Sequence, residues 1–400
     1  MKVTGDLQLV KRMNKSIILD TIRTDGPISR AAISAKTGLN KGTVSNLVSE
    51  LIDGQLIVET GTGVSSGGRK PVMLLFHART GFAIGIDLGV NYLRAILTDL
   101  EGNAEAEILR PLTDTSLHVI LRIIRESVAE LQQQVPDCPH GVIGIGIGVP
   151  GMVDGGSVIS APNLGWRNID LQAELQATVP LSVWIDNEAN VGALGEKRFG
   201  AGQAYEHFIY VSAGIGIGAG IILNDALFRG SSGLSGEVGH MTIEMDGLPC
   251  RCGNAGCWEM YASENALLHA ARNAGLLAAP ETDDTGLDQL TKLAADKQPE
   301  AIRLFANIGA KLGIGIAGIM NSFNPQAVVI GNRLVLAKTW IADPLAETAR
   351  QSGLRSHLRH TDIVFATLGL RSAALGAASL AIEQFLQSTH APQSGSEEPT

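Results

Sequence analysis

The stretch Ala83-Ile84-Gly85-Ile86-Asp87-Leu88-Gly89-Val90-Asn91 decides the fold. An apolar run punctuated by glycine passes into a second strand, Leu93 to Leu97, and then into the turn Glu101-Gly102-Asn103, which reads as a β-hairpin. A similar unit recurs over Ile209-Tyr210-Val211-Ser212, the glycine-rich run Gly214 to Gly220, and Ile221-Ile222-Leu223. Two such hairpins imply a duplicated α/β body with two lobes and a cleft between them. Gly144, Gly146 and Gly148 mark a further buried strand that leads to the turn Pro150-Gly151. Such glycines are weak evidence for phosphate binding, because close packing of strands calls for the same residue.

The bulk numbers agree with an α/β protein. The 400 residues are 45% hydrophobic and only 4% aromatic, with 47 glycines, enough for two or three globular units with many tight turns. The long apolar stretch Phe208 to Leu223 is broken by Gly214, Gly216, Gly218 and Gly220, so it does not read as a membrane helix. The beginning of the chain is polar with no apolar segment behind it, and the expected location is cytoplasmic. The net charge of −9 hides an asymmetry. Residues 1–80 carry 11 Lys/Arg against 6 Asp/Glu, about +5, which leaves −14 on the remainder. A basic head on an acidic body fits a nucleic-acid module attached to a unit of another kind.

The head has its own pattern. Val10, Met13 and Ile17, with Ile18 and Ile22 beside them, recur at helical spacing until Gly26-Pro27 ends the run. Ser29 offers an N-cap oxygen to a short helix from Arg30, which stops at Thr37-Gly38. Asn40 opens another helix, with Val44, Leu47, Val48 and Leu51 on one face and Lys41, Thr43, Ser45 and Asn46 on the other. Two short helices about a glycine turn, the second polar outside, form a helix-turn-helix pattern. Leu56-Ile57-Val58 and Val72-Met73-Leu74-Leu75 then flank a polar tip ending Gly67-Gly68-Arg69-Lys70-Pro71, the pattern of a wing. The expected DNA contacts are Arg30, Asn40, Lys41, Thr43, Ser45 and Asn46 from the helices, and Arg69 and Lys70 from the wing.

Three of the four cysteines, Cys250, Cys252 and Cys257, fall within eight residues. With His240 they offer one imidazole and three thiols, and no open position is evident. That donor set predicts a closed structural zinc site rather than a catalytic one or a disulfide. The other reading is three reduced cysteines in a loop.

Gly-Ile-Asp-Leu-Gly (85–89), Ala-Pro-Asn-Leu-Gly-Trp (161–166), Asp-Asn-Glu-Ala-Asn (186–190), Gly-Glu-Val-Gly-His (236–240) and the cysteine segment through Trp258-Glu259 together resemble the ROK family of sugar kinases and repressors. The order holds from about residue 80 to about 385, and with the winged helix the resemblance is to the repressor branch, most of all its xylose repressors. It implies a two-lobed actin-like, ribonuclease-H-like sugar-kinase fold over residues 81–387, behind a winged-helix domain over 1–80. Residues 388–400, rich in Ser, Pro and Glu, are expected to be a disordered tail.

The resemblance assigns sugar contacts to Asn163, Asn187, Glu188, Glu237, His240 and Glu259, and it supports the zinc. It also implies a homodimer on a palindromic operator, released by a sugar such as D-xylose. The kinase pattern is broken in four places. Val90-Asn91 stand where kinases have Gly-Thr, and Ile215 stands where the second phosphate loop has Thr. Asn332-Arg333 replace a glycine pair, and Glu188 replaces the general-base Asp. No enzyme activity is therefore expected; a kinase with a DNA-binding head is the alternative, as is a repressor that senses a phosphorylated sugar or a protein. Glu188 is further expected to fill the space that a hexose hydroxymethyl group would take, favouring a pentose.

Overall fold

The computed structural model describes residues 7–62, 70–278, 285–354, 356 and 360–388. The head opens with α1 (Leu7–Asp25), which buries Ile18, Leu19 and Ile22. Val10, Met13 and Ile17 share their helical spacing but stay exposed, with Leu7 at the end of the same stripe. β1 (Ile28–Ser29) follows, and the Ser29 hydroxyl caps α2 (Arg30–Thr37) by accepting the Ala32 N–H at 3.2 Å. Gly38 stops α2 at φ 73°, a left-handed position that glycine takes without strain, and its N–H donates to the Ser34 carbonyl. Asn40 then caps α3 (Lys41–Asp53) at 2.8 Å from the Thr43 N–H. β2 (Ile57–Thr62) and β3 (Val72–Phe76) form the wing hairpin, and β1 pairs with the outer side of β3.

The first lobe is a five-stranded sheet in the order β11-β7-β4-β5-β6. Its strands are β4 (Phe82–Leu88), β5 (Tyr92–Asp99), β6 (Ala104–Pro111), β7 (Val142–Val149) and β11 (Val183–Asn187). α4 (Leu117–Gln132) covers it, and β8 (Met152–Asp154), β9 (Ser157–Ala161) and β10 (Trp166–Ile169) make a small sheet ahead of α5 (Leu171–Gln176). After α6 (Glu188–Phe199) the plan repeats in the order β14-β13-β12-β15-β16. Here β12 (Phe208–Ala213), β13 (Ile217–Leu223) and β14 (Ala226–Leu227) are antiparallel, and β15 (Ala327–Gly331) and β16 (Asp362–Phe365) run parallel to β12. Each sheet is thus a three-stranded antiparallel meander extended by two parallel strands, which bears out the duplication read from the two hairpins.

The second lobe carries α7 (Glu259–Ala262), α8 (Glu264–Asn273), α9 (Gly286–Ala295), α10 (Pro299–Phe323) and α11 (Lys338–Ser352). α10 is long and apolar enough to span a bilayer by composition. Its Leu304, Phe305, Ile308, Leu312, Ile316 and Met320 instead build the core of this lobe.

Two helices join the lobes, α6 and α12 (Ser372–Ser388). α12 lies directly on the first sheet. A Cβ added at Gly85 would stand 1.9 Å from the Ala374 carbonyl oxygen, and one at Gly146 1.8 Å from that of Ala377. α6 crosses α12 equally closely: a Cβ on Gly376 would lie 1.7 Å from the Val191 oxygen. The buried Glu196 carboxylate pins the crossing by accepting from the Ser372 hydroxyl at 2.6 Å and from the Ala201 N–H at 2.8 Å. Further along α12, Ala378, Ala381, Ile382 and Leu386 share one core with Ile18, Ile22, Leu51 and Phe76 of the head. One helix therefore touches the first lobe, α6 and the DNA-binding head. Ser388, expected to begin the tail, is instead the last residue of this helix, and 389–400 lie outside the described residues.

Because the clash partner of Gly376 is backbone, Gly376→Ala should destabilise the protein by about 3 kcal/mol or more, at the upper end of overpacking costs. Denaturant unfolding of the variant measures it, and a loss under about 1 kcal/mol would contradict so close a crossing.

Candidate functional site

The helix expected to meet DNA is α3. Burial of Val44, Leu47, Val48 and Leu51 turns Lys41, Ser45 and Asn46 to solvent, with Thr43 half-buried. The Asn40 side chain spends its oxygen on the helix cap. Arg30 is also partly committed: its guanidinium donates to Glu59 of β2 at 3.0 Å, tying α2 to the wing. Lys70 is exposed beside β3, and Arg69 lies outside the described residues.

The cleft forms where the parallel strands of both sheets end. Asn187 closes β11, Val149 ends β7 with Pro150 after it, Ser212 is near the end of β12, and Asn332 follows β15. Ligands collect at such carboxyl ends because the chain leaves the sheet there and turns its loops over the opening. The cavity holds about 390 Å³, and all of Asn163, Asn187, Glu188, Glu237, His240 and Glu259 line it. The structure thus brings together every residue expected to hold the sugar. Asn187 does double work, since its oxygen caps α6 at the Ala189 N–H (2.8 Å) and its amide donates to the Gly151 carbonyl (2.7 Å). Asn163 accepts from Arg251 at 3.1 Å.

Glu188 is drawn toward the second lobe. Its Oε1 accepts from the Ser212 hydroxyl at 2.9 Å and from the Asn332 amide at 2.7 Å, and that amide also donates to Ser212 at 2.9 Å. Close by, Asp87 is buried and accepts from the Tyr92 hydroxyl at 2.8 Å, while its second oxygen has no hydrogen-bond partner among the described residues. Burial first, and the nearby Glu188 carboxylate second, push Asp87 up to about 8. Burial likewise raises Glu188, against the pull of Ser212 and Asn332, and burial raises Glu237.

At the rim of the cleft the ligand atoms of His240, Cys250, Cys252 and Cys257 all lie within 4.8 Å of one another. Cys252 Sγ and Cys257 Sγ are 3.7 Å apart, and Cys250 Sγ is 3.6 Å from His240 Nδ1. A tetrahedral metal with bonds of about 2.3 Å to sulfur separates its ligands by about 3.8 Å, so the cluster fits a metal ion. His240 Nε2 is then left on the side of Glu237, 3.7 Å away, and Glu259 stands 3.6 Å from Nδ1 and 3.2 Å from Cys250 Sγ. The imidazole of this candidate metal cluster is also part of the cleft wall.

The sequence did not single out Ser212 as the anchor of Glu188, and it noted Asn332 only as a departure from a glycine pair. Placement at the ends of β12 and β15, opposite the end of β11, was the signal available for both. Arg167, Arg251 and Arg333 also line the cavity, a basic component that no motif announced. Arg333 is held by the buried Glu264 at 2.9 Å.

A duplicated sheet with a polar cleft at its strand ends, joined to a winged helix, defines a sugar-kinase-like body carrying a DNA-binding domain. The chain belongs to the ROK family, whose pattern matches residues 83–384, and a winged helix-turn-helix DNA-binding pattern matches residues 15–58. It is 41% identical over 384 residues to the xylose repressor of Bacillus subtilis (strain 168), covering 96% of this chain and 98% of that one. Among solved structures, a ROK family transcriptional regulator described as a homolog of the E. coli MLC protein superposes with a TM-score of 0.79 at 29% identity, over 95% of this chain and 97% of that one. A ROK family glucokinase from Streptomyces griseus, in complex with glucose and AMPPNP, superposes with a TM-score of 0.68 at 31% identity, over 76% of this chain and 100% of its own.

The buried Asp87 gives a pH dependence. Its folded pKa of about 8 lies above the ordinary carboxylate value of 3.8. Between those two values the unfolded chain ionises while the folded one holds its proton, so stability falls as pH rises through that window and levels beyond it. Asp87→Asn should flatten this fall in thermal midpoints measured across the window, and an unchanged slope would contradict the assignment.

Proposed function

We propose that this protein is a transcriptional repressor that holds operator DNA through its winged helix and releases it when D-xylose fills the cleft. Similarity to the xylose repressor of Bacillus subtilis runs through head and body alike, whereas the glucokinase matches the body only. The observation that carries the non-enzymatic reading is the Glu188–Ser212–Asn332 cluster. It engages Oε1 of the carboxylate that would serve as general base, and it sets the Asn332 side chain against Gly214 of the glycine loop, where a phosphate would need open backbone. Sugar contacts would come from Asn163, Asn187, Glu188, Glu237, His240 and Glu259.

Induction then means that the sugar binds the DNA-incompetent arrangement more tightly, by about 10⁴-fold for a full switch. The exposed stripe of Leu7, Val10, Met13 and Ile17 on α1 supports pairing with a second copy, and a homodimer would read a palindromic operator. Zinc suits the imidazole and three thiols, and held there it would fix the loop that carries Glu259 and the orientation of His240.

A phosphorylated sugar is the second reading, favoured by Arg167, Arg251 and Arg333 in the cleft wall. Calorimetry against D-xylose, D-glucose and their phosphates decides between the two. D-xylose should bind and weaken operator binding, with no sugar-dependent ATP consumption; turnover of ATP would overturn the proposal. Glu188→Asp should weaken xylose relative to glucose, by about 1–3 kcal/mol if the longer side chain selects the pentose, and an unchanged ratio would refute that selection.

Lys41→Ala should weaken operator binding, leave sugar affinity nearly unchanged, and lower the salt slope of binding by about 1. Gel-shift titrations at several salt concentrations read both. Elemental analysis should find one zinc per chain, with a lower content in Cys252→Ala. Wild-type protein prepared without chelator and carrying no zinc would exclude the metal assignment.

A further inference from the structure

A second cavity lies where the head meets the body. It holds about 450 Å³ between Asp20, Arg23 and Thr24 of α1, Glu101 in the turn after β5, Arg198 in the last turn of α6, and Gln203 in the turn beyond that helix. Its carboxylates are on the outside and its guanidiniums within: the Asp20 side chain is 64% exposed and that of Arg23 only 21%, and Glu101 is exposed.

The guanidiniums are poorly matched by protein. Among the described residues Arg23 Nε is buried with no hydrogen-bond partner, and the Asp20 carboxylate is 3.7 Å from NH1. Arg198 rests over the Phe199 ring at 5.6 Å and makes no hydrogen bond or ion pair among the described residues. Asp20 and the exposed Glu383 of α12 favour its charge from a distance. Burial first, and the Arg23 charge second, pull Arg198 down to about 10. Each arginine sits in the last turn of its helix, where the carbonyl ends help keep it charged. Two partly buried cations facing one polar void, with spare N–H groups and a threonine and an amide beside them, are complementary to a multiply charged oxyanion.

We propose that Arg23 and Arg198 form a binding site for phosphate, free or as the head of a small monoester, between the DNA-binding head and the end of α6. The walls come from body as well as head, which suits a small anion rather than a duplex. α6 makes the site a second effector position. The helix of 12 residues starts with Glu188 in the sugar cleft and carries Arg198 in its last turn, so an anion that clamps α1 to α6 acts on the element that also carries the cleft. Sugar and anion are then linked, each altering the affinity of the other by the same factor.

The test is calorimetry of the full chain with inorganic phosphate and with glycerol 1-phosphate, in chloride buffer at constant ionic strength. Wild type should bind, and Arg198→Gln and Arg23→Gln should each weaken binding at least about tenfold, because a charge-assisted fork is lost. A sugar titration of the same variants confirms that the fold and cleft survive. If Arg198→Gln does not fold, Arg198→Lys replaces it, since the charge stays and the fork goes, and the weakening should persist. A tighter monoester marks the ligand as a phosphorylated small molecule, and equal affinities mark it as phosphate itself. No binding of either by wild type, or affinity unchanged in the variants, would overturn the site.

Discussion

The seat of α12 on the first sheet is the constraint on which the rest depends. Gly85 and Gly146 let helix backbone lie against strand backbone, and Gly376 lets α6 cross that helix at the same short range. Nothing larger than hydrogen fits at these points, so the helices have little freedom to slide over one another. Interfaces packed this closely move as units rather than deform. What remains adjustable is the angle between the lobes, which is the coordinate that closure on a ligand would use. The head follows because its core is continuous with the far end of α12.

The cleft is built from charge that is costly to bury. Asp87 and Glu188 are enclosed near one another, and Oε1 of Glu188 accepts from both Ser212 and Asn332 of the opposite lobe. A buried carboxylate bonded across a cleft acts as a latch whose strength depends on the spacing of the lobes. The cluster of one histidine and three cysteines extends the same logic to the rim. His240 faces the thiols with one nitrogen and Glu237 with the other, so the loop geometry and the cleft wall are set by one ring.

Much of this was legible in the sequence for local reasons. The caps Ser29 and Asn40, the stop at Gly38 and the apolar face of α3 are written within a few residues of where they act, and the structure reproduces each. The cysteine spacing likewise names its own cluster. The cleft residues came through resemblance, since no spacing rule links Asn163 with Glu259. What the sequence left open was long-range as well. Val10, Met13 and Ile17 match a core stripe in period, yet their side faces solvent because the body of the protein packs elsewhere on α1. Asn332 became significant only once β15 placed it beside the start of α6, and Arg30 only once β2 brought Glu59 beside it.

Asn187 begins α6 with its oxygen and holds the first lobe at Gly151 with its amide, all inside the cavity wall. A ligand bonded to Asn187 would compete for the atoms that fix the helix start, so a lineage adopting a new ligand could not alter this residue without also disturbing that start. Drift in ligand range would be channelled to positions that carry no such second duty, above all Asn163 and Arg167 beside the small outer sheet. Related chains with different inducers should accordingly differ most along that edge and agree at the helix start.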